Sequence, residues 1–477
     1  MKRRSFLTTA AAGAIAAGSG VTGCFQPPKQ APVPTGGGID IGEGVEMLER
    51  GKARNTAPVI RHEILNNPRA VFLIDTNASG SPDADGFFTG LKPQLFETGK
   101  VAAQAIFTKG EKRGGGSTFI KPNYTWIPPN CYNPTCGVIT SPDFTAGFIS
   151  ALRDMGNTNV MVGDRGGTNI RNHRMTGIYD VMDAHNIDVM MPTYGHYRHY
   201  APNELNWHKV PEPVVWNTIP TFRPLGDPDC IFIDMAKLKN HYLTGTTLTL
   251  KNLQGAVPTG YGHYCNQWAE MNFLIDNAYN IDRAHFQPDW QPRIDVLHRR
   301  HRDAGYKHWD YEGSYAKYEK EGGWEKFKTI KDNREAVREF MSAHPYLMRD
   351  ELWTQRALDS ASAIKPTLNV VEGVIGRDGD GFGIGKDELC NIVIVGLSTI
   401  ETDAVGSWIM GQDPNELWFT RTAKERGIGE CDPAKIDIYR IRGAEVTPVR
   451  NLSEIRRFRL GCNLHSMQKE SGKRLFW

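Results

Sequence analysis

Two short stretches give the clearest indication of the fold: TFIKPN at residues 118–123 and NVMVGD at residues 159–164. Each contains a run of apolar or β-branched residues and ends in a polar or glycine-containing turn. The same pattern recurs in CIFID at 230–234 and in LNVVEG at 368–373. Near-continuous apolar runs are typical of strands that are buried on both faces, as in a parallel sheet. The chain is therefore expected to contain such a sheet.

Helical patterns lie between the predicted strands. The residues at 141–143, Ser-Pro-Asp, begin a pattern whose apolar side chains recur at helical spacing until residues 156–157, Gly-Asn, end it. Residues 399–410 form a second such pattern. Strands that alternate with helices predict an α/β fold, with a mostly parallel or mixed sheet flanked by helices.

Residues 280–360 differ from the rest, because they are rich in Trp, Tyr, His, Arg, Lys and Glu. They predict a helical, charged and aromatic insertion. Solvated amphipathic helices and a lid or partner-binding element are the two interpretations of it. In chain order, the predicted parts are a signal (1–23), a tether (24–45), an α/β body (46–279 and 361–450) that contains the insertion (280–360), and a C-terminal tail (451–477).

Composition and charge exclude several classes of protein. The chain has 477 residues, 40% of them hydrophobic, and 56 Lys and Arg against 54 Asp and Glu. It is too apolar and too balanced in charge for a disordered protein. A formal net charge of +2 gives no basic excess of the kind that nucleic-acid binding requires.

The N-terminal residues have the layout of an export signal. Arg3 and Arg4 precede a weakly apolar, Ala-rich run without charge, which resembles a signal for the twin-arginine export machinery. Cys24 follows Val-Thr-Gly and resembles the lipidated Cys of a bacterial lipoprotein, with a Pro- and Gly-rich spacer behind it. The alternatives are a disordered basic tail and an ordinary cleavage site before a Cys. We expect an extracytoplasmic or periplasmic protein that is anchored to the membrane only by lipid on Cys24.

Cysteine spacing argues against an iron–sulfur module. Cys131 and Cys136 lie four residues apart in a Pro- and Asn-rich stretch, which makes a local disulfide plausible. The chain contains no CxxCxxC run of the ferredoxin type.

The polar residues that carry chemistry follow the predicted strands. Lysines presented by loops bind carboxylates or phosphates as point charges, and neighbouring Asn side chains add neutral donors. A surface loop with ordinary lysines, or a strand edge at residues 246–252, is the alternative interpretation. The predicted catalytic residues are His263, as acid or base, and Lys251; the predicted ligand-binding residues are Lys121, Asn123, Asp164, Lys239, His241 and Asn252.

The order of these motifs resembles the domain-of-unknown-function family 362 (DUF 362) over roughly residues 115–415. The resemblance rests on seven ordered motifs: IKPN at 120–123, VGD at 162–164, KLKNH at 237–241, TLTLKNLQG at 247–255, GH at 262–263, LNVVEG at 368–373 and DAVG at 403–406. It implies an α/β protein and leaves the reaction open. This chain departs from the family pattern by lacking ferredoxin-type cysteines, by carrying Glu372 where the family usually has Asp, and by a longer stretch before Glu372.

Acidic residues of the C-terminal half suggest a metal site. His241, His263, Glu372 and Asp403 form a set of nitrogen and oxygen donors that suits a divalent metal. The Gly-rich stretch at 377–385 matches a calcium loop poorly, because Phe382 fills a ligand position. The cofactor is therefore open, with a divalent metal as one candidate.

Three functions fit these observations. The first is an exported enzyme that acts on an anionic small molecule, with metal assistance or a redox link as variants. The second is a lipid-tethered protein that binds an anionic ligand without chemistry. The third is an assembly or maturation factor that docks a redox partner through residues 280–360.

Overall fold

A computed structural model describes most of the chain after residue 37. The described residues are 38–84, 86–125, 136–164, 177–190, 201–241, 244–258, 320–330, 352–382 and 384–461, with isolated positions between 293 and 343. Cys24, the tether before residue 38, Cys131 and His263 lie outside these residues, as does most of the predicted insertion with its proposed redox-partner surface. The disulfide, the anchor and the insertion therefore stay predictions.

The described part of the chain is built on a mixed ten-stranded sheet, with two smaller two-stranded sheets. Along the large sheet the strands follow the order β14-β13-β2-β12-β11-β9-β4-β5-β6, and β10 pairs with β9. The strands in chain order are β1 (Val59–Ile60), β2 (Val71–Asp75), β3 (Phe107–Thr108), β4 (Ser117–Pro122), β5 (Val160–Gly163), β6 (Val189–Met190), β7 (Leu205–Lys209), β8 (Thr218–Phe222), β9 (Cys230–His241), β10 (Gly245–Thr246), β11 (Leu368–Arg377), β12 (Asp387–Gly396), β13 (Ile438–Arg442) and β14 (Glu445–Pro448).

The predicted strands form the parallel half of this sheet. β11, β9, β4, β5 and β6 all run in one direction, because each pairs in parallel with its neighbour. β12 runs against both β11 and β2, which makes the sheet mixed. The predicted α/β class is confirmed.

Helices cover both faces of the sheet. Their bounds are α1 (Ile41–Gly51), α2 (His62–Leu65), α3 (Lys92–Ile106), α4 (Pro142–Asp154), α5 (Ile178–Ala184), α6 (Leu248–Asn252), α7 (Gly323–Ile330), α8 (Leu352–Ala363), α9 (Thr399–Ile409) and α10 (Trp418–Glu425).

Adjacent side chains of each central strand point into different cores. Ile120 and Ile233 pack with residues of α3 and α4, whereas Phe119 and Phe232 pack with residues of α1 and α8. Strands covered on both faces cannot alternate between apolar and polar residues, which is why their sequences are near-continuous apolar runs.

The two predicted helices are confirmed within two residues at each end. The side chain of Ser141 accepts a hydrogen bond from the amide of Phe144 and caps α4. Gly156 adopts φ +95° just beyond the end of α4, a conformation that favours glycine. The predicted pattern at 399–410 corresponds to α9. In the described part of the chain, no helix combines the length and apolarity needed to cross a membrane.

Candidate functional site

Strand β9 supplies the backbone of the candidate site. It is twelve residues long and lies between β4 and β11, so its second half continues past the last paired residue of β4. Alternate positions of a strand share one face, which groups Lys237, Lys239 and His241. All three side chains are buried, with exposures of 0%, 0% and 1%. Two lysines and a histidine in a protein interior require partners or altered protonation.

The first group of polar residues surrounds Lys121, at the end of β4. Its ammonium donates to Asn252 Oδ1 at 2.9 Å and to the carbonyl of Pro122 at 3.1 Å, and it lies 3.2 Å from Asp164 Oδ1. Asn123 donates to the same Asn252 oxygen at 3.0 Å. Lys121, Asn123 and Asp164, which lie at strand ends, thus form one buried network with Asn252, which lies on α6. The ammonium of Lys121 is already engaged by protein oxygens.

Asp234 extends this network and was not predicted as a site residue. Its Oδ1 accepts a hydrogen bond of 2.6 Å from Asn252 Nδ2, while its Oδ2 has no partner. Burial raises the pKa of Asp234 well above its usual value, against the lowering effect of Lys121. The polar Asp at the end of the CIFID run is the signal that marks this position in the sequence.

The second group is the ion pair of Lys237 and Glu372. Both side chains are fully buried, and Lys237 Nζ donates to Glu372 Oε2. The backbone amides of Ser141 and Val374 donate to the same carboxylate, at 3.2 and 3.0 Å. The strand register places Glu372 directly opposite Lys237, which explains the pairing. Glu372, predicted as a metal ligand, is held by protein donors here.

The third group is formed around Lys239, whose ammonium has no hydrogen-bond partner within the described part of the chain. Its Nζ lies 4.3 Å from the centroid of the Phe382 ring. Burial lowers the pKa of Lys239 well below its usual value, and the nearby charges of Lys251 and Arg377 lower it further. Two effects therefore disfavour the charged form of Lys239, and neither is offset by a bound carboxylate.

His241 and Lys251 share aromatic neighbours with Lys239. The His241 ring makes edge contacts with Phe382 and Trp353, with centroids 5.6 and 5.7 Å apart. Lys251 Nζ lies 5.7 Å from the Trp353 centroid, and its side chain is only partly buried. Burial, together with the charges of Lys251 and Lys239, lowers the pKa of His241 well below its usual value. The group therefore combines a neutral imidazole with two lysine side chains.

Arg377 fixes the loop that carries Phe382. It donates to the Phe382 carbonyl from two nitrogens, at 3.0 and 2.6 Å, and pairs with Asp387 at 2.7 Å. The Asp380 carboxylate accepts from the amides of Phe382 and Ile384, so it stabilises its own turn. The Gly-rich stretch is thus a tight loop that positions an aromatic ring.

Asp403 holds the short helix that carries Lys251. Its carboxylate accepts hydrogen bonds from the amides of Thr249 and Leu250 and from the Thr249 hydroxyl, at 2.8, 2.9 and 2.5 Å. Burial raises the pKa of Asp403 to about 7, despite these donors. Leu248, the first residue of α6, has φ +36°, a strained conformation for a branched side chain. The strand-edge interpretation of residues 246–252 is wrong for Lys251 and Asn252, which lie on α6.

The metal hypothesis stays a prediction. Within the described ranges, no group of three or more His, Cys, Asp and Glu side chains is arranged to hold a metal ion. Glu372 and Asp403 are both engaged by protein donors, and His263 falls outside those ranges.

Four further residues of the site were not predicted: Lys237, Trp353, Arg377 and Phe382. Every second residue of a strand lies on the same face, so Lys237 shares a face with Lys239 and His241 and could have been found from the sequence. Trp353 donates from Nε1 to Gln254 at 3.0 Å, about one hundred positions away in sequence. No local pattern indicates such a contact.

Residues 118–408 match the family described as Domain of unknown function (DUF362). The chain belongs to the DUF362 family. The match covers all three groups of site residues, from Lys121 to Asp403. No curated protein matches the chain, and no solved structure matches it either. The function must therefore be argued from the site.

Proposed function

We propose that this DUF362 chain is an enzyme that binds an anionic small molecule at Lys239, His241 and Lys251. One observation carries the proposal: the Lys239 ammonium is fully buried and, among the residues that the structure describes, has no hydrogen-bond partner. A buried, unpaired polar group costs about 1–3 kcal/mol, and a charged group costs more. An anion between Lys239 and Lys251 removes that cost when it binds, because the Lys239 ammonium then gains a charge-assisted partner.

A comparison among the lysines supports this choice of residues. Lys121 and Lys237 are buried to the same degree as Lys239, and each has a carboxylate partner of its own. The fold therefore neutralises two of these three buried lysines. We assign Lys121 a supporting role, in which it orders Asn252 next to Lys251.

Chemistry is favoured over simple capture by the protonation states of the site. A protein that only binds an anion gains from charged lysines and has no use for neutral ones. Here the surroundings lower the pKa of both Lys239 and His241. Neutral amines and imidazoles near pH 7 are the usual general bases of enzymes. A lipid-tethered anion-binding protein is the alternative.

Thermal-shift measurements with inorganic phosphate, oxalate and citrate test the proposal. At least one of these anions is expected to raise the melting temperature of the full-length protein, and Lys239→Met is expected to abolish the rise. Lys365→Met is the matched control, because Lys365 is exposed. Equal rises in wild type and Lys239→Met would place anion binding elsewhere.

We also propose that the chain is exported and anchored through Cys24. The proposal is supported by the twin arginines, the weakly apolar run and the Pro- and Gly-rich spacer. Cells grown with a labelled fatty acid are expected to label the wild-type protein and not Cys24→Ala. Label that survives in Cys24→Ala would overturn the anchor.

A further inference from the structure

We propose that Lys239 is a nucleophile that forms an imine with the carbonyl group of an oxo acid. This inference rests on the proposed anion site and names its substrate class. The substrate would carry a carboxylate next to an aldehyde or ketone. Its carboxylate would lie on Lys251 and its carbonyl carbon at Lys239 Nζ.

An amine that attacks a carbonyl carbon needs a free electron pair, which an ammonium lacks. An ordinary lysine has a pKa near 10.4, so only about one molecule in 2,500 is neutral at pH 7. Lysines become nucleophiles where an apolar environment or a second cation destabilises the ammonium. Lys239 has both features: its side chain is fully buried, and Lys251 and Arg377 are close enough to act on its charge.

The charged groups around Lys239 determine where the carboxylate of the substrate can lie. The titratable and charged groups that act on Lys239 are Lys251, Arg377, Cys136 and Asp380, and His241 shares its aromatic neighbour. Arg377 is already neutralised by Asp387 and by the Phe382 carbonyl. The Asp380 carboxylate is occupied by two amides of its own loop. We assign the substrate carboxylate to Lys251, because its charge acts on Lys239 more strongly than that of Arg377 and its side chain is only partly buried.

Lys237 provides the contrast on the same strand face. It lies two residues before Lys239 and is equally buried, yet it is paired with Glu372. An ion pair keeps a lysine charged and unreactive. The sequence KLKNH thus places one paired lysine and one unpaired lysine side by side.

The bond changes balance as follows. The neutral Lys239 nitrogen attacks the carbonyl carbon, so that a C–N bond forms and the C=O π bond breaks. His241 takes one of the two nitrogen protons and passes it to the oxygen, which becomes a hydroxyl. His241 then takes the second nitrogen proton and passes it to this hydroxyl as the C–O bond breaks, so that water leaves and the neutral imine remains. No oxidant or reductant takes part in this step.

Reductive trapping with glyoxylate and sodium cyanoborohydride tests the inference. The reductant converts an imine into a stable carboxymethyl group, which peptide mass spectrometry locates. At pH 7, labelling of Lys239 in the full-length protein is expected to be at least ten times faster than labelling of the exposed Lys365. Lys251→Met is expected to slow the labelling of Lys239 and to move its pH profile upward, because one neighbouring cation is gone.

Oxalate binding separates the two proposals, because oxalate has carboxylates and no reactive carbonyl. If oxalate stabilises the wild-type protein while Lys239 is labelled no faster than Lys365, the imine is overturned and the anion site stands. If oxalate, phosphate and citrate all fail to stabilise the protein and Lys239 is not labelled, both proposals are overturned. An unchanged pH profile in Lys251→Met contradicts the role of Lys251.

Discussion

Replacing Lys239 with methionine is expected to stabilise the folded chain while removing its anion site. Methionine has nearly the same length and shape, and it has no charge to desolvate. Replacing a buried ion pair with apolar residues of similar volume is often neutral or stabilising by about 1–4 kcal/mol. We expect a gain of similar size for Lys239→Met, since Lys239 is fully buried and, among the described residues, loses no hydrogen bond and only its contact with the Phe382 ring. A gain in stability combined with a loss of function is typical of a residue kept for function.

The pH dependence follows from the lowered pKa of Lys239. Below pH 10 the unfolded chain holds a proton on this lysine that the folded chain tends to lose. The free energy of unfolding of the wild type therefore rises with pH toward the ordinary lysine pKa. The advantage of Lys239→Met should be largest near neutral pH and should shrink as the pH approaches about 10.

Equilibrium urea denaturation and thermal melting measure the effect. For a chain of 477 residues, a change of 1 kcal/mol shifts the melting temperature by only about 1 °C, so the urea midpoint is the better readout. Lys237→Met is the matched comparison, because it leaves Glu372 buried and unpaired. It is expected to cost about 3–5 kcal/mol. The exposed control, Lys365→Met, should change stability by less than about 0.5 kcal/mol.

Lys239→Met is expected to raise the free energy of unfolding, whereas Lys237→Met is expected to lower it. If Lys239→Met destabilises the chain as much as Lys237→Met does, Lys239 has a structural partner and the reasoning is refuted.

The remaining predictions concern the residues that hold the site together. Glu372→Gln should lower the free energy of unfolding by about 3 kcal/mol in urea melts, because Lys237 keeps its charge without a counter-ion. Asp403 keeps a proton up to about pH 7, so its own contribution to the free energy of unfolding should fall as pH rises from about 4 to 7, opposite in sign to the contribution of Lys239. Asp403→Asn should remove up to about 1.4 kcal/mol per pH unit of that slope; an unchanged slope contradicts the assignment. Gly255→Ala should destabilise the fold by about 1–3 kcal/mol, because the new Cβ would lie 2.6 Å from Lys121 Cε. An unaltered melting curve would show that the Lys121 side chain can move away without cost.

The sequence predicts the parallel half of the sheet well, because its strands are covered on both faces. The apolar runs that contain Phe119 and Phe232 have no exposed face, and the turns that follow them are polar. Helix α4 can be predicted equally well, because Ser141 and Gly156 mark its two ends. The edge strands β13 and β14 were not predicted. They lie at the open side of the sheet and carry exposed or half-buried side chains, so their apolar pattern is weak.

The candidate site can be predicted only in part from the sequence. Position at a strand end brings Lys121, Asn123 and Asp164 together, as predicted. The sequence does not distinguish the lysines, because their partners come from distant strands and helices. Lys121 meets Asp164 across a helical crossover, and Lys239 meets the Phe382 ring from a loop after β11. Whether a buried lysine has a carboxylate partner depends on these long-range contacts. The proposed function rests on this difference between Lys239 and the other buried lysines.

Calorimetry measures whether an anion binds at Lys239. Binding of oxalate should raise the pKa of Lys239 and draw a proton from solution at pH 7. Titrations in two buffers with different ionisation enthalpies measure this uptake. We expect an uptake that approaches one proton per bound oxalate in the wild type, and neither binding nor uptake in Lys239→Met. Oxalate that binds both proteins equally, or that binds the wild type without proton uptake, would contradict the claim.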